Sequence, residues 1–331
     1  MSCLSRLSVV VVLIGTLSPT KAGAQQEDKV VRLIWFPRFS PDGNWLASAH
    51  GSWDGKEGGE VRVWDAKTGK PKSVIPVDRG IRTVAWAPKG KSFAAGGYGA
   101  VLTFYDAETG KPTGNMKFPD SVEVLQITPD EKLVITAHGN GSVRVTEWAT
   151  KKAVHHWNQA HRGGIWGMRL SPNGKLLATA GKDGFVRVYD MGNYKILHEL
   201  QHPGETNGVA FTNDNKFLFT GCSDSAIRVF DVASGEELRT LRGHSGGSIT
   251  DLRLSPNGKL LASAGIDQTA RLWDLSDFEN PVLMSTIDAH SGLVFGVDIS
   301  PDGKLLATAG WDELLRVVEL ATQKELWSWS R

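Results

Sequence analysis

From residue 30 onward, apolar and polar positions alternate in short runs that are interrupted at near-constant intervals by tight-turn chemistry. The turns read Ser40-Pro41-Asp42-Gly43, Ala87-Pro88-Lys89-Gly90, Thr128-Pro129-Asp130-Glu131, Ser171-Pro172-Asn173-Gly174, Thr212-Asn213-Asp214-Asn215, Ser255-Pro256-Asn257-Gly258 and Ser300-Pro301-Asp302-Gly303. Their second positions lie between 41 residues (Pro88 to Pro129) and 47 residues (Pro41 to Pro88) apart. Proline presets φ, Asp or Asn tolerates the next position, and glycine takes a left-handed one. After each turn comes an alternating strand such as Lys175 to Thr179, then a second such as Phe185 to Tyr189, and a further turn such as Thr68-Gly69 leads into a last strand. Four short strands per unit and seven units predict an all-β fold, a seven-bladed β-propeller of four-stranded antiparallel blades over residues 30–331.

The pattern fails before residue 30. Arg6 followed by the apolar run Leu7 to Leu17 and the small-residue site Ala22-Gly23-Ala24 reads as a secretory signal over residues 1–24. Residues 25–29 then form a short lead-in. The run is about half the ~20 residues that a membrane-spanning helix requires, so no stable membrane insertion is expected after cleavage. The expected location is exported, periplasmic or extracellular. Removing Arg6 and Lys21 from 37 basic residues leaves 35 against 36 acidic ones, a near-neutral chain without the footprint of a nucleic-acid binder. Removing Cys3 leaves Cys222 as the single thiol, so no internal disulfide can form.

Val61-Arg62-Val63-Trp64-Asp65, Ala270-Arg271-Leu272-Trp273-Asp274 and Gly243-His244 strongly resemble the WD-repeat (WD40) propellers, in register over residues 30 to 331. That resemblance implies a structural tetrad in each blade: a His at the unit start, a Ser or Thr on the second strand, an Asp in the following turn and the Trp. Blade six matches fully with His244, Ser263, Asp267 and Trp273. Blades four and five use other aromatics, in the sets His161, Thr179, Asp183, Tyr189 and His202, Thr220, Asp224, Phe230. Blade seven keeps His290, Thr308 and Asp312 with Val318 in place of the aromatic, and blades one to three lack the His. The last strand, Lys324 to Ser330, is expected to belong to blade seven itself, so the ring should close by blade packing.

The recurring His, Asp and Ser/Thr invite a catalytic-triad reading, but a constellation repeated in four blades at one register position is structural. His50, His138 and Cys222 share one repeat position and suit zinc by residue type. They belong to blades one, three and five, too far apart for a shared ion. His155-His156 falls on a solvated outer strand. Six arginines (Arg62, Arg144, Arg187, Arg228, Arg271 and Arg316) recur on the third strand, where stem packing and local pairing explain them better than phosphate binding. Haem, P-loop, dinucleotide and zinc-protease motifs are absent from the sequence. No metal, cofactor or catalytic residue is assigned, and the chain is read as a non-enzyme.

Partners of WD-repeat propellers usually bind one face, through residues early in the first strand and just before the tetrad Asp. Carried over, those positions give Leu33, Trp35, Arg82, Tyr98, Trp166, Leu293, Phe295 and Trp311, together with Glu123, Lys182, Glu205 and Asn207. Trp53, in the glycine-rich insertion Gly51 to Gly59, is expected to overhang this sector. Aromatic side chains anchor interfaces, so the expected function is a protein- or peptide-binding scaffold outside the cytoplasm. Two rivals are a glycan-binding propeller, since Trp platforms suit sugar rings, and a quinoprotein-like or hydrolase enzyme, suggested by Asp65 to Lys70 and Asp106 to Lys111.

Overall fold

The computed structural model describes residues 33–330; the expected signal and lead-in fall outside them. Seven antiparallel sheets follow one another along the chain, each built from consecutive strands, and every described element is a strand. In blade four the order is Ile165–Leu170, Leu176–Gly181, Phe185–Asp190 and Ile196–Gln201. The second strands, such as Leu305–Gly310, are buried throughout because each sheet is sandwiched between neighbours. The outermost strands alternate with solvent, as in Val282–Asp288.

Six of the seven repeated turns are closed by their first side chain; blade two has Ala87 there. Ser40 Oγ donates to Asp42 Oδ1 at 2.5 Å and accepts from Trp45 N at 2.9 Å, while Gly43 sits at φ +72°. The same hydroxyl-to-carboxylate or amide contact recurs at Thr128–Asp130, Ser171–Asn173, Thr212–Asp214, Ser255–Asn257 and Ser300–Asp302. In those six blades the repeat signature is a hydrogen-bonded turn with an acceptor at its third position, while blade two, with Lys89 there, closes through Gly90 N to Ala87 O.

The seventh sheet takes all four strands from residues 294–330, and blade one begins its own sheet with Leu33–Ile34 and Arg38–Phe39. Among the described residues, blades seven and one meet by packing. Ile34, Phe39, Leu46 and Trp64 of blade one share a core cluster with Leu305, Ala307, Leu315 and Val317 of blade seven. Phe39 N donates to Asp298 Oδ2 at 2.7 Å, and Trp327 Nε1 donates to Ala66 O at 2.9 Å. The second link belongs to a series in which an outer-strand side chain donates to a carbonyl of the next blade: Lys72 to Ala107, Trp157 to Tyr194 and His198 to Val232.

Candidate functional site at the mouth of the channel

The tetrads are structural cross-links. In blade six, His244 Nδ1 meets Asp267 at 3.0 Å and Nε2 meets Ser263 Oγ at 2.7 Å, while Trp273 Nε1 donates to that Oγ at 2.9 Å. His161 joins Asp183 (2.8 Å) and Thr179 (2.7 Å), and His290 joins Asp312 (2.7 Å) and Thr308 (2.9 Å). Tyr189 is buried and stacks in that core, and Val318 is buried where the others have an aromatic.

Blade five departs from the expected set. His202 Nε2 holds Thr220 at 2.8 Å, but Nδ1 faces Leu200 O at 2.9 Å, and Asp224 binds Arg228 at 2.6 Å instead. Phe230 packs 5.5 Å from the His202 ring. The cause lies one strand away. A Cβ at Gly181 would lie 2.2 Å from His161 Nδ1, one at Gly265 2.5 Å from His244 Nδ1, and one at Gly310 2.9 Å from His290 Nδ1. Blade five has Cys222 at that position, so its histidine cannot occupy the same space.

Blades one and three use the position in the opposite sense. There the side chain is itself a histidine: His50 Nε2 meets Ser48 Oγ at 2.8 Å, with Trp64 Nε1 donating to that Oγ at 2.9 Å, and His138 Nε2 meets Thr136 Oγ1 at 3.0 Å. His50 and His138 thus replace the missing unit-start histidine from the strand. Of the repeated arginines, Arg187, Arg228 and Arg271 pair with the tetrad-position Asp of their own blade, Arg62 with Glu60 and Arg316 with Glu325.

Burial pushes the imidazoles of His138, His161 and His202 below their ordinary 6.5. Burial opposes the charges of Asp183, Asp267 and Asp312 most strongly of any one cause, but the facing histidines together with the other hydrogen bonds and charges on each carboxyl outweigh it and hold all three below the usual range. Both kinds of group bind fewer protons folded than unfolded. Stability is therefore full above about pH 6.5, starts to fall as unfolded histidines protonate below that, and falls further below about pH 4 as unfolded carboxylates do. Urea midpoints measured from about pH 8 down to about pH 3.5 should decline without a maximum. A maximum near about pH 5 would mean that the buried histidines are charged in the folded protein.

The mouth of the channel is built by a recurrent irregularity. The ladder between first and second strands skips one residue at Arg82, Glu123, Trp166 and Phe295, and likewise at Thr250 and around Asn207. In blade one, Trp35 to Pro37 span the equivalent gap between the pairs Ile34–His50 and Arg38–Ala47. A bulged residue is released from the ladder and its side chain re-aimed. Six of these seven side chains (Trp35, Arg82, Trp166, Asn207, Thr250 and Phe295) line a depression of about 110 Å³, with Phe36, Trp53, Glu205, Ser248, Ile266 and Leu293. Glu123, the seventh, ion-pairs with Arg82 at 2.8 Å.

The aromatic members form one stack. Trp35 lies 4.5 Å from Phe295 and 5.7 Å from Trp53, and Trp53 lies 5.5 Å from Trp311 (ring centroids). Trp35 and Phe295 are buried, and Trp311 is half-buried. Trp53, 37% exposed, covers them. Its loop is held from below: Arg82 Nη1 donates to Tyr98 Oη at 2.8 Å, and Tyr98 donates to Trp53 O at 2.6 Å. Gly55, at φ +66°, lets the loop lie on Tyr98, since a Cβ there would be 2.1 Å from the ring. Burial opposes the Arg82 charge, but Glu123 and Tyr98 outweigh it and keep the guanidinium firmly protonated. It spans Trp35 (4.2 Å) and Trp166 (5.4 Å) as a cation over two rings. Burial also pushes the Glu205 carboxyl up.

Of the expected partner-binding face, Trp35 and Phe295 in the stack are buried, and so are Leu33 and Arg82. Leu33 is fully buried in the core shared by blades one and two, because its side chain points between the sheets, away from the channel. Arg82 lines the mouth but is buried and committed to Glu123 and Tyr98, so it positions its neighbours. Tyr98, Trp166 and Leu293 are half-buried at the rim. Sequence reasoning passed over Phe36 and blade six, with Ser248, Thr250 and Ile266. A signal for Thr250 was present: it stands six positions before Pro256, as Trp35 does before Pro41 and Trp166 before Pro172.

Comparison with known proteins agrees with this architecture. The family model for the WD domain, G-beta repeat, matches residues 27–65, 152–190, 194–231, 235–274 and 281–318. The serine-threonine kinase receptor-associated protein of Mus musculus is 26% identical over 244 residues, covering 72% of this chain and 66% of the relative. Its Homo sapiens counterpart is 25% identical over 248 residues, with the same coverage. This chain thus spans just under two thirds of the length of those relatives. The nuclear distribution protein PAC1 of Arthroderma otae is 37% identical over 78 residues, 24% of this chain and 16% of the relative. With repeats matched over more than half its length and seven blades in one ring, this chain belongs to the WD40-repeat family.

Proposed function

We propose that this protein is a non-enzymatic scaffold that holds a protein or peptide partner at the mouth of its channel, outside the cytoplasm. WD40 propellers are typically protein-interaction scaffolds, and the mouse relative is by its name associated with a receptor. The observation that carries the reading is the Trp53 ring, exposed on top of the Trp35–Phe295 stack, beside a rim whose bulged side chains are free of the ladder. A large aromatic held rigid from beneath loses little entropy on contact, which is what an interface anchor requires. The polar groups around it, Glu205, Asn207 and Thr250, supply orientation. Export rests on the N-terminal pattern, Arg6, the apolar run and Ala22-Gly23-Ala24.

The test is capture of a partner from an envelope or extracellular extract, followed by titration of the purified partner against wild type and the double variant Trp53→Ala, Trp311→Ala. Losing one such anchor costs about 2 kcal/mol, so affinity should drop by about 30-fold or more, with the urea midpoint nearly unchanged. Equal binding by the folded variant refutes the face. Retention of a polysaccharide in place of a protein would turn the assignment toward glycan binding. N-terminal sequencing of the exported protein should begin at Gln25.

A further inference from the structure

Below the mouth the channel holds a second, wider cavity of about 240 Å³, on the side of the proline turns. Three arginines reach it from three blades: Arg38, Arg169 and Arg253 stand at one register position, each three residues before the turn proline Pro41, Pro172 or Pro256. Blade two has Ala85 at that position, and its missing bulk leaves the space open. Gln126, the blade-three counterpart, completes the wall, and no carboxylate lines the cavity among the described residues.

Two acidic groups stand beside the arginines: Asp298 holds the same register position in blade seven, and Asp251 lines the adjoining constriction with Arg38 and Arg169. Arg253 Nη1 binds Asp251 Oδ1 at 2.6 Å and its Nε binds Asp298 Oδ1 at 3.1 Å. Arg38 and Arg169 reach Asp251 at only 3.4 and 3.6 Å. Backbone amides claim the same carboxylates, Phe39 N at Asp298 Oδ2 and Leu252 N at Asp251 Oδ1. Three guanidiniums thus share two carboxylates, and Arg253 keeps a buried Nη2 with no hydrogen-bond partner among the described residues. Burial and the nearby Arg38 charge push the Arg169 guanidinium down to about 10. Burial pushes the Asp251 and Asp298 carboxyls up. A buried cation surplus is costly until an anion balances it.

We propose that this lower cavity binds a small oxyanion, a phosphate, sulfate or carboxylate group, between Arg38, Arg169 and Arg253. Guanidinium forks match the geometry of such groups, and one negative charge balances the cluster. The site is separate from the rim: between the two lies only a constriction of about 10 Å³ at Phe36 and Trp166.

Inorganic phosphate is the probe, titrated into the full chain at constant ionic strength by calorimetry and by ³¹P line width, with sulfate, acetate and chloride as competitors. Wild type should bind phosphate saturably, sulfate should compete, and chloride should not. Competition by acetate as well would assign the site to carboxylates and tetrahedral anions alike; its failure would restrict it to the latter. Arg169→Gln removes the arginine least tied to the fold, whose one hydrogen bond is to the adjacent Met168 carbonyl. It should weaken phosphate on the order of tenfold or more. Gln126→Glu places a carboxylate in the cavity, should abolish binding, and decides the matter if the first variant fails to fold. Absence of phosphate binding by wild type, equal competition by chloride, or unchanged binding in a folded variant overturns the proposal.

Discussion

Replacing Gly181 by alanine is expected to destabilise the protein by roughly 2–3 kcal/mol, a cost out of proportion to one methyl group on a strand. The added Cβ would stand 2.2 Å from His161 Nδ1 and 2.9 Å from Asp183 Oδ1, so the imidazole must move and its bonds to Asp183 and Thr179 break together. What remains is a buried carboxylate without its histidine, held by Arg187 and the amides of Arg162 and Phe185, and a buried Thr179 hydroxyl without that partner. A double-mutant cycle isolates the cause. In a His161→Ala background the same alanine has room, and its cost should fall below about 1 kcal/mol. Urea midpoints of the four proteins decide it, and additive costs would show that Gly181 serves the backbone and not the histidine.

The second large effect concerns the seam between blades seven and one. Trp327→Ala removes a ring that packs 6.0 Å from Trp64 (centroids), lies under the Thr68-Gly69 turn and donates to Ala66 O. For a half-buried tryptophan the loss is about 2–4 kcal/mol. It should also be localised. Stacked repeats interact with nearest neighbours, so a weakened junction opens before the rest. Amide exchange should quicken in Glu325–Ser330 and around Ala66, leaving blades three to five protected. Trp157→Ala, which removes the corresponding link to Tyr194, should move the fast-exchanging region to the junction of blades three and four. Uniform loss of protection in both variants would contradict a ring held junction by junction.

The blades were legible because the turn chemistry is local, with Ser or Thr, Pro, Asp or Asn and Gly closing one turn within four residues. They were legible also because inner strands buried on both faces read as short apolar runs while outer strands alternate with solvent. The links that failed are those in which two side chains contend for one volume. Sequence position placed His202 and Asp224 in register, yet Cys222 fills the space that Gly181 and Gly265 leave open, and the pair does not form. The same contention explains His50 and His138, which suited a metal by type and instead complete the Ser48 and Thr136 networks. At the mouth, the aromatic sector was legible from the partner-face positions that the WD-repeat resemblance implied, carried over by register. The burial of Leu33 and the commitment of Arg82 to Glu123 depend on side-chain direction, which alternation at an irregular strand does not fix.

The skipped residue in each first strand has a wider consequence. Everywhere else in a blade, a substitution must answer to a cross-strand partner and to the sheet beneath. At this one place per blade the side chain turns from the ladder toward the channel, where it answers to its neighbours on the rim, as Arg82 does to Glu123, and to what enters. The rim is therefore a circular text of seven characters, Trp35, Arg82, Glu123, Trp166, Asn207, Thr250 and Phe295, each carried by a separate page of the same binding. Thr250 is tied to blade seven through Val294 O at 2.6 Å, so Asn207 is the character most easily rewritten while the ring stays intact. Recognition in such a molecule can drift by point change, one sector at a time, while the fold that displays it stands still.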